Sequence, residues 1–241
     1  ALQDMLRFVC RGIAVYGEKL GEMGVVDRDA GRFIARGLFT TITNGAWDNE
    51  AITDLIEEGL AIRDRLRAKV GDALSGALCD CATWTPENRN AILTKALSDD
   101  LRITAIENED RRSLQELLVS GCVGIAAYAD HAMILGFEKD EIYAFLMEAL
   151  ASLVKDLSID EMIALAIKAG ATAVTTMALL DEANTTTYGS PEMTEVNIGV
   201  RSNPGILISG HDLKDLEELL QQTEGTGVDV YTHGEMLPAN Y

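Results

Sequence analysis

SNPGILISGHDLKDLEELLQQTEGTGVDVYTHGEMLPANY, residues 202–241, reads as strand, helix, strand. Ile206 to Ser209 form a short apolar run after Pro204-Gly205. Asp212 is placed to cap a helix, and Leu213, Leu216, Leu219 and Leu220 repeat at helical spacing. Gly225 and Gly227 break that helix, and Val228 to Tyr231 alternates as a second strand. A crossover of this length is right-handed and joins parallel strands, so both strands end on one edge of the sheet. Open α/β sheets place their ligands at that edge.

His211 follows the first strand, and Thr232-His233-Gly234-Glu235 follows the second. If residues 233 and 235 are extended, they project to the same side. Two imidazoles and a carboxylate suit iron or zinc and leave positions open for a substrate. The plainer reading has His211 packed at a turn, His233 in solvent and Glu235 in a surface ion pair. Spacing alone leaves both open.

Working back from this unit, residues 181–205 are polar, rich in Thr and Asn, with a short strand expected at Glu195 to Val200. Before them lies an internal repeat. LQDMLRFVCRGIAVY at 2–16 matches LQELLVSGCVGIAAY at 114–128, and the offset of 112 persists from Gly24/Gly136 through Phe33/Phe145 and Leu38/Leu150 to Asp48/Asp160. Each copy reads as helix, Gly-containing turn, helix, Asp-capped turn, helix: 2–20, 27–43 and 49–70, then 113–135, 138–155 and 158–180. Two copies make a duplication rather than a solenoid. The fold class is therefore mainly α: two duplicated three-helix bundles followed by a βαβ opening of a Rossmann-like α/β domain. Its expected divisions are 1–70, a helical connector 71–112, 113–185 and 186–241. In the connector, Thr85 and Pro86 suit the start of another helix, and 98–112 is charge-dense and solvated.

A formal charge of −19 disfavours nucleic acid or an anionic membrane surface as partner. We expect no apolar run near the length of a membrane span and no signal peptide at ALQDMLRFVCRG. Cys10, Cys79, Cys81 and Cys122 do not form a secreted disulfide framework, so a reducing cytoplasm is the default localisation. Since the chain begins at Ala1 and stops just after a strand, a piece of something longer is expected.

Cys10 and Cys122 hold equivalent positions among apolar neighbours, as small buried core residues do. Cys79-Asp80-Cys81 is too tight for a zinc or iron–sulfur framework. Two free thiols in a connecting segment is the plain reading; a redox or metal role is the remainder. His131, alone on a helix, reads as a surface residue. Neither a Gly-x-Gly-x-x-Gly after a strand nor a P-loop occurs, so nucleotide binding has no support.

NIGVRSNPGILISGHDLKDLEELLQQTEGTGVDVYTHGEMLPA resembles the central segment of the hybrid cluster proteins, also called prismane proteins or hydroxylamine reductases. LRFVCRGIAVYGEKL, IYAFLMEALASLVKDLS and MALLDEANTTTYGSPEMTEVN resemble the helical domain of that family, so the likeness covers essentially the whole chain. The resemblance implies a first domain of two three-helix bundles followed by two α/β domains. It implies a cubane-type iron–sulfur cluster and a hybrid iron–sulfur–oxygen cluster. The histidine of the GHD motif, His211, and the glutamate of the THGEM-like motif, Glu235, would be metal ligands of the hybrid cluster, joined by cysteines and a second glutamate farther along. Imidazole nitrogen and carboxylate oxygen suit its oxygen-rich side, thiolates its sulfide-rich side. The implied reaction is reduction of hydroxylamine to ammonia and water, or of nitric oxide, with a small nitrogen-oxide substrate and a redox electron donor as partners. Related nickel-containing carbon monoxide dehydrogenases would carry a cysteine near position 235.

Departures from the family pattern bear on this expectation. The cysteine cluster for the cubane should precede Leu2, and the later cysteines and second glutamate should follow Tyr241. Where the family usually shows PAHY, this chain has Pro238-Ala239-Asn240-Tyr241. These 241 residues alone are therefore expected to be catalytically silent. Two alternatives stand beside this reading. One is a mononuclear iron or zinc enzyme with His211, His233 and Glu235 as a facial triad. The other is a non-catalytic helical binding module.

Overall fold

The computed structural model describes residues 1–42, 46–74 and 76–241. It is mainly helical with a small parallel two-stranded sheet. The chain divides into two compact units, Ala1–Leu180 and Asp181–Tyr241.

In the first unit the apolar periodicity of each repeat becomes helix. The first copy gives α1 (Leu2–Glu22), α2 (Arg28–Thr40) and α3 (Asn49–Val70). After the connecting helices α4 (Asp80–Thr83) and α5 (Arg89–Ala96), the second copy gives α6 (Glu109–Ile134), α7 (Asp140–Ser152) and α8 (Ile159–Tyr188), whose end reaches the second unit. Both ends of α2 and α7 differ by the repeat offset. The last residue of the helix expected over 27–43 lies outside the described residues, as does residue 75 of the expected connector. The core combines Leu6, Val9, Cys10 and Ile13 of α1 with Ile34 and Leu38 of α2, Ile56 and Leu66 of α3, and Leu146 and Leu150 of α7.

The two copies interlock: α1 packs on α7, and α2 on α6 and α7. Residues at equivalent repeat positions meet. Arg28 Nε donates to Asp140 Oδ1 at 2.6 Å. A methyl group on Gly31 would lie 2.4 Å from the ring of Tyr143. Contact between equivalents is the mark of a local twofold relation running between α2 and α7. Beside it, Arg32 donates through Nε and Nη2 to both oxygens of Glu138, each at 2.7 Å, and Tyr143 Oη donates to Glu138 Oε2 at 2.8 Å. A two-pronged guanidinium–carboxylate pair of this kind is stronger and more directional than a single contact. It holds the Glu138 carboxyl down to about 2, while burial and the Glu138 charge push the Tyr143 phenol up.

Helix starts differ between copies. The Asp48 side chain accepts from the N–H groups of Glu50 and Ala51, as expected. Asp160 does not cap its helix. There Ser158 and Glu161 form a reciprocal capping box, the Ser158 N–H donating to Glu161 Oε2 at 2.8 Å and the Glu161 N–H to Ser158 Oγ at 3.3 Å.

Thr85 and Pro86 likewise do not open a helix. α5 begins at Arg89, with the Asn88 side chain accepting from the Ala91 N–H at 3.1 Å. Asn caps better than Thr, and it stands next to the helix. Arg89 then reaches Asp54, Glu57 and Glu50 of α3 at 2.6, 3.0 and 3.1 Å. Residues 98–112 are largely exposed, as their charge density requires, with Leu101 buried.

The expectation that no apolar run nears a membrane span is corrected. By length and composition, α6 and α8 are each long and apolar enough to cross a membrane. Runs rich in Ala, Gly and Ile reach that threshold with few charges. Half of the apolar window in α6 is nonetheless buried inside the protein, where α2 covers it.

In the second unit, β1 (Gly205–Ser209) and β2 (Asp229–His233) flank α9 (Leu213–Thr223). The strands pair in parallel from Gly205↔Asp229 to Ser209↔His233. Glu195 to Val200 is not a strand. Among the described residues it pairs with no strand, and the Gly199 N–H is taken by Asn197 Oδ1 at 2.9 Å instead.

Candidate functional site

Parallel pairing decides where the chemistry collects. Ser209 and His233 end the two strands as a register pair. His211 lies two residues past the end of β1 and Glu235 two residues past the end of β2. The sheet thus carries an imidazole and a carboxylate, distant in sequence, on neighbouring loops at its carboxyl edge. All three candidates, His211, His233 and Glu235, are exposed.

Each loop is held by its own anchors. After His211, the Asp212 carboxylate accepts from the Lys214 N–H at 3.0 Å and starts α9, so the expected cap is present. The Leu216 side chain of α9 is buried. Lys214 Nζ and Tyr188 Oη both reach Glu217 Oε2, at 3.0 and 2.9 Å, which ties the end of α8 to α9 within this unit. Burial and the Glu217 carboxylate push the Tyr188 phenol up to about 12.

After β2 the backbone turns at once. His233 is extended, but Gly234 takes φ +60°, a left-handed conformation natural to glycine, and opens a 3-10 turn over Gly234–Asn240. The premise of extension through 233 and 235 is therefore corrected: the strand alternation ends at His233. Met236, 1 % exposed, plugs the turn into the sheet end. Asn240 Nδ2 donates to Thr232 Oγ1 at 2.9 Å and to the Leu237 carbonyl at 3.1 Å. At position 240 an amide thus closes the turn back onto β2.

Among the described residues, no group of three or more His, Cys, Asp or Glu side chains is placed to hold a metal ion. His211, His233 and Glu235 are not gathered into such a group, and the chain turns at Gly234 between the last two. An open cleft of about 590 Å³ lies elsewhere in this unit, at the start of β2, lined by Arg201, Gly227, Asp229 and Tyr231. It borders neither histidine and carries none of this chemistry.

The remaining candidates lie in the first unit. Cys10 and Cys122 are fully buried, and burial pushes each thiol up to about 12. Both are inert core residues, as read. His131 is half-buried, its ring edge-on to Phe39 at 5.2 Å, rather than a surface residue. Cys79 and Cys81 bring their sulfurs to 3.2 Å. Sequence spacing gave no hint of that approach, nor of the fully buried Arg63 that holds the turn carrying them.

Against known proteins, the profile of the Prismane/CO dehydrogenase family matches residues 1–241. A protein of Desulfosudis oleivorans named hydroxylamine reductase is 70 % identical over 240 residues, covering 100 % of this chain and 44 % of its own. Proteins of the same name from Nitratidesulfovibrio vulgaris and Desulfitobacterium hafniense are 63 % and 55 % identical, again over 100 % of this chain and 44 % of theirs. The chain spans less than half the length of these curated relatives.

Proposed function

Because the chain belongs to the Prismane/CO dehydrogenase family, we propose that it supplies the helical region and the opening of an α/β domain to an iron–sulfur reductase acting on hydroxylamine. In this reading the helical region is the two duplicated three-helix bundles, and β1–α9–β2 begins a Rossmann-like domain. His211 and Glu235 bind the oxygen-rich side of a hybrid iron–sulfur–oxygen cluster. The observation that carries the proposal is their placement two residues beyond paired strand ends, on loops fixed by the Asp212 cap and the Met236 plug.

The donor set fits the group in part. A neutral imidazole and a carboxylate are the ligands that harder iron takes. Both are exposed and can meet ligands from elsewhere. Two donors do not complete a cluster, and the other ligands must come from other segments. When bound, the cluster supplies electrons and an iron site at which the N–O bond is cleaved; hydroxylamine takes up two electrons and two protons to give ammonia and water. The contribution of this chain is to orient: the Asp212 cap sets the direction of the His211 loop, and Gly234, Met236 and Asn240 set that of Glu235. An electron donor is required by the stoichiometry.

The test uses the full-length reductase, with His211→Ala and Glu235→Ala compared by anaerobic iron and acid-labile sulfide analysis and by hydroxylamine consumption. Each variant is expected to lose iron and at least about a hundredfold in turnover, in line with losing a metal ligand. The 241 residues alone are expected to show no turnover. Full iron, sulfide and turnover in both variants would overturn the assignment. Metal without sulfide, lost on His233→Ala, would restore the mononuclear alternative.

A further inference from the structure

The Cys79-Asp80-Cys81 turn is built more firmly than a connecting segment requires. Tyr16 Oη donates to the Ala82 carbonyl at 3.0 Å. The guanidinium of Arg63, with no exposed surface, donates to the carbonyls of Cys81 and Trp84. The Cys81 carbonyl rests where a side chain on Gly12 would be: a methyl there would come within 2.1 Å of that oxygen. Lys95 pairs with Asp80 at 2.8 Å, and Trp84 packs edge-on against Phe8 at 6.2 Å. Backbone, side chains and a missing methyl all fix one short turn.

That turn holds two sulfurs 3.2 Å apart in unequal surroundings. Cys79 is half-exposed and Cys81 is 3 % exposed. The hydrogen bond shared with Cys81, helped by the Ala82 N–H and the Arg11 charge, brings the Cys79 thiol down to about 6 despite partial burial. The same pairing and burial push Cys81 up. An accessible thiolate beside a buried thiol is the division of labour in dithiols that exchange with disulfides.

We propose that Cys79 and Cys81 form a redox-active dithiol that reduces low-molecular-weight disulfides of the glutathione class and itself closes to an intramolecular disulfide. The Cys79 thiolate attacks one sulfur of the disulfide RSSR and releases one RS⁻, leaving a Cys79–S–S–R mixed disulfide. Cys81 gives its proton to solvent, and its sulfur attacks Cys79 Sγ and releases the second RS⁻. Two cysteine thiols lose two electrons in total, and RSSR becomes two RSH. Closure shortens the sulfur separation from 3.2 Å to about 2.05 Å. This activity stands apart from the proposed cluster site and uses none of its residues.

The test follows one peptide. Trypsin cleaves after Lys69 and Arg89, releasing residues 70–89, which contain Cys79 and Cys81 but neither Cys10 nor Cys122. The chain is equilibrated anaerobically across glutathione mixtures from fully reduced to fully oxidised, quenched with acid and alkylating agent, and digested. The expected result is passage from a doubly alkylated peptide to an unalkylated one lighter by two hydrogens. Cys81→Ser should trap glutathione on Cys79, and Cys79→Ser should leave Cys81 as a free thiol. At pH 7, Cys79 should alkylate about threefold faster than free cysteine, the gain in thiolate being largely offset by its lower nucleophilicity. A peptide that stays doubly alkylated in oxidised glutathione overturns the proposal. So does a wild-type peptide that stops at the mixed disulfide, or a Cys79→Ser variant that takes glutathione on Cys81.

Discussion

Replacing Glu138 by Gln tests how the two repeat copies are held together. Both Glu138 oxygens accept from Arg32 at 2.7 Å, and Tyr143 donates to one of them at 2.8 Å. The carboxyl is held at about 2 against an ordinary 4.5. At about 1.36 kcal/mol per decade, that difference is worth about 3.4 kcal/mol at neutral pH. Arg32 is 42 % exposed, so solvent screening reduces the figure to about 2 kcal/mol. The folded-state value is depressed, so the stabilisation is complete above about pH 4.5 and is lost as pH falls through about 2; at pH 3 about 40 % of it remains. Glu138→Gln cannot titrate and keeps at most one acceptor oxygen. Urea unfolding followed by helical circular dichroism should show the variant less stable by about 2 kcal/mol at pH 7 and by under about 1 kcal/mol at pH 3. An equal loss at both pH values, or none at pH 7, would refute the argument that this carboxylate is an ionic clamp.

Two further outcomes follow from packing. Gly12→Ala puts a methyl 2.1 Å from a backbone oxygen and should cost about 3 kcal/mol in the same unfolding assay, whereas Gly21→Ala, on the same helix with nothing within 4 Å, should be neutral or gain about 0.5 kcal/mol; similar effects at both sites would show that the Cys81 turn is not seated on α1. The native chain should not label at Cys10 or Cys122 with an aromatic disulfide reagent at pH 8, because burial removes both access and thiolate. Both should label once the chain is unfolded in urea, and native labelling of either would mean that the core of its repeat opens.

Much of this fold was legible because helices advertise themselves by periodicity. The repeat offset, read from residues such as Gly24 and Gly136, reappears in both ends of α2 and α7. Asp212 could be recognised as a cap because its partner, the Lys214 N–H, is local. Local competition explains the misreadings: Asn88 captures the start of α5 from Thr85, and Ser158 with Glu161 caps α8 in place of Asp160. The Glu195–Val200 strand failed for a nonlocal reason, since a strand needs a partner that its own sequence does not encode. At the site, order along the chain and the parallel rule put His211 and Glu235 on one edge, but the positive φ of Gly234 broke the alternation assumed for His233 and Glu235. The approach of Cys79 to Cys81 depends on Gly12, Tyr16 and Arg63, contributed by two other helices. No window around the two cysteines contains that information.

The meeting of equivalent positions between α2 and α7 has a consequence for recognition. In a homodimer, a residue on the symmetry axis faces its own copy. Arg28 would then face Arg28, or Asp140 face Asp140, with like charges at contact distance. Gly31 would face Gly31 across a void, and Tyr143 would collide with Tyr143. Fusion into one chain removes that restriction and lets each position be complementary: cation to anion at 28 and 140, hollow to ring at 31 and 143. At these positions the two copies are complementary to each other rather than matched to themselves.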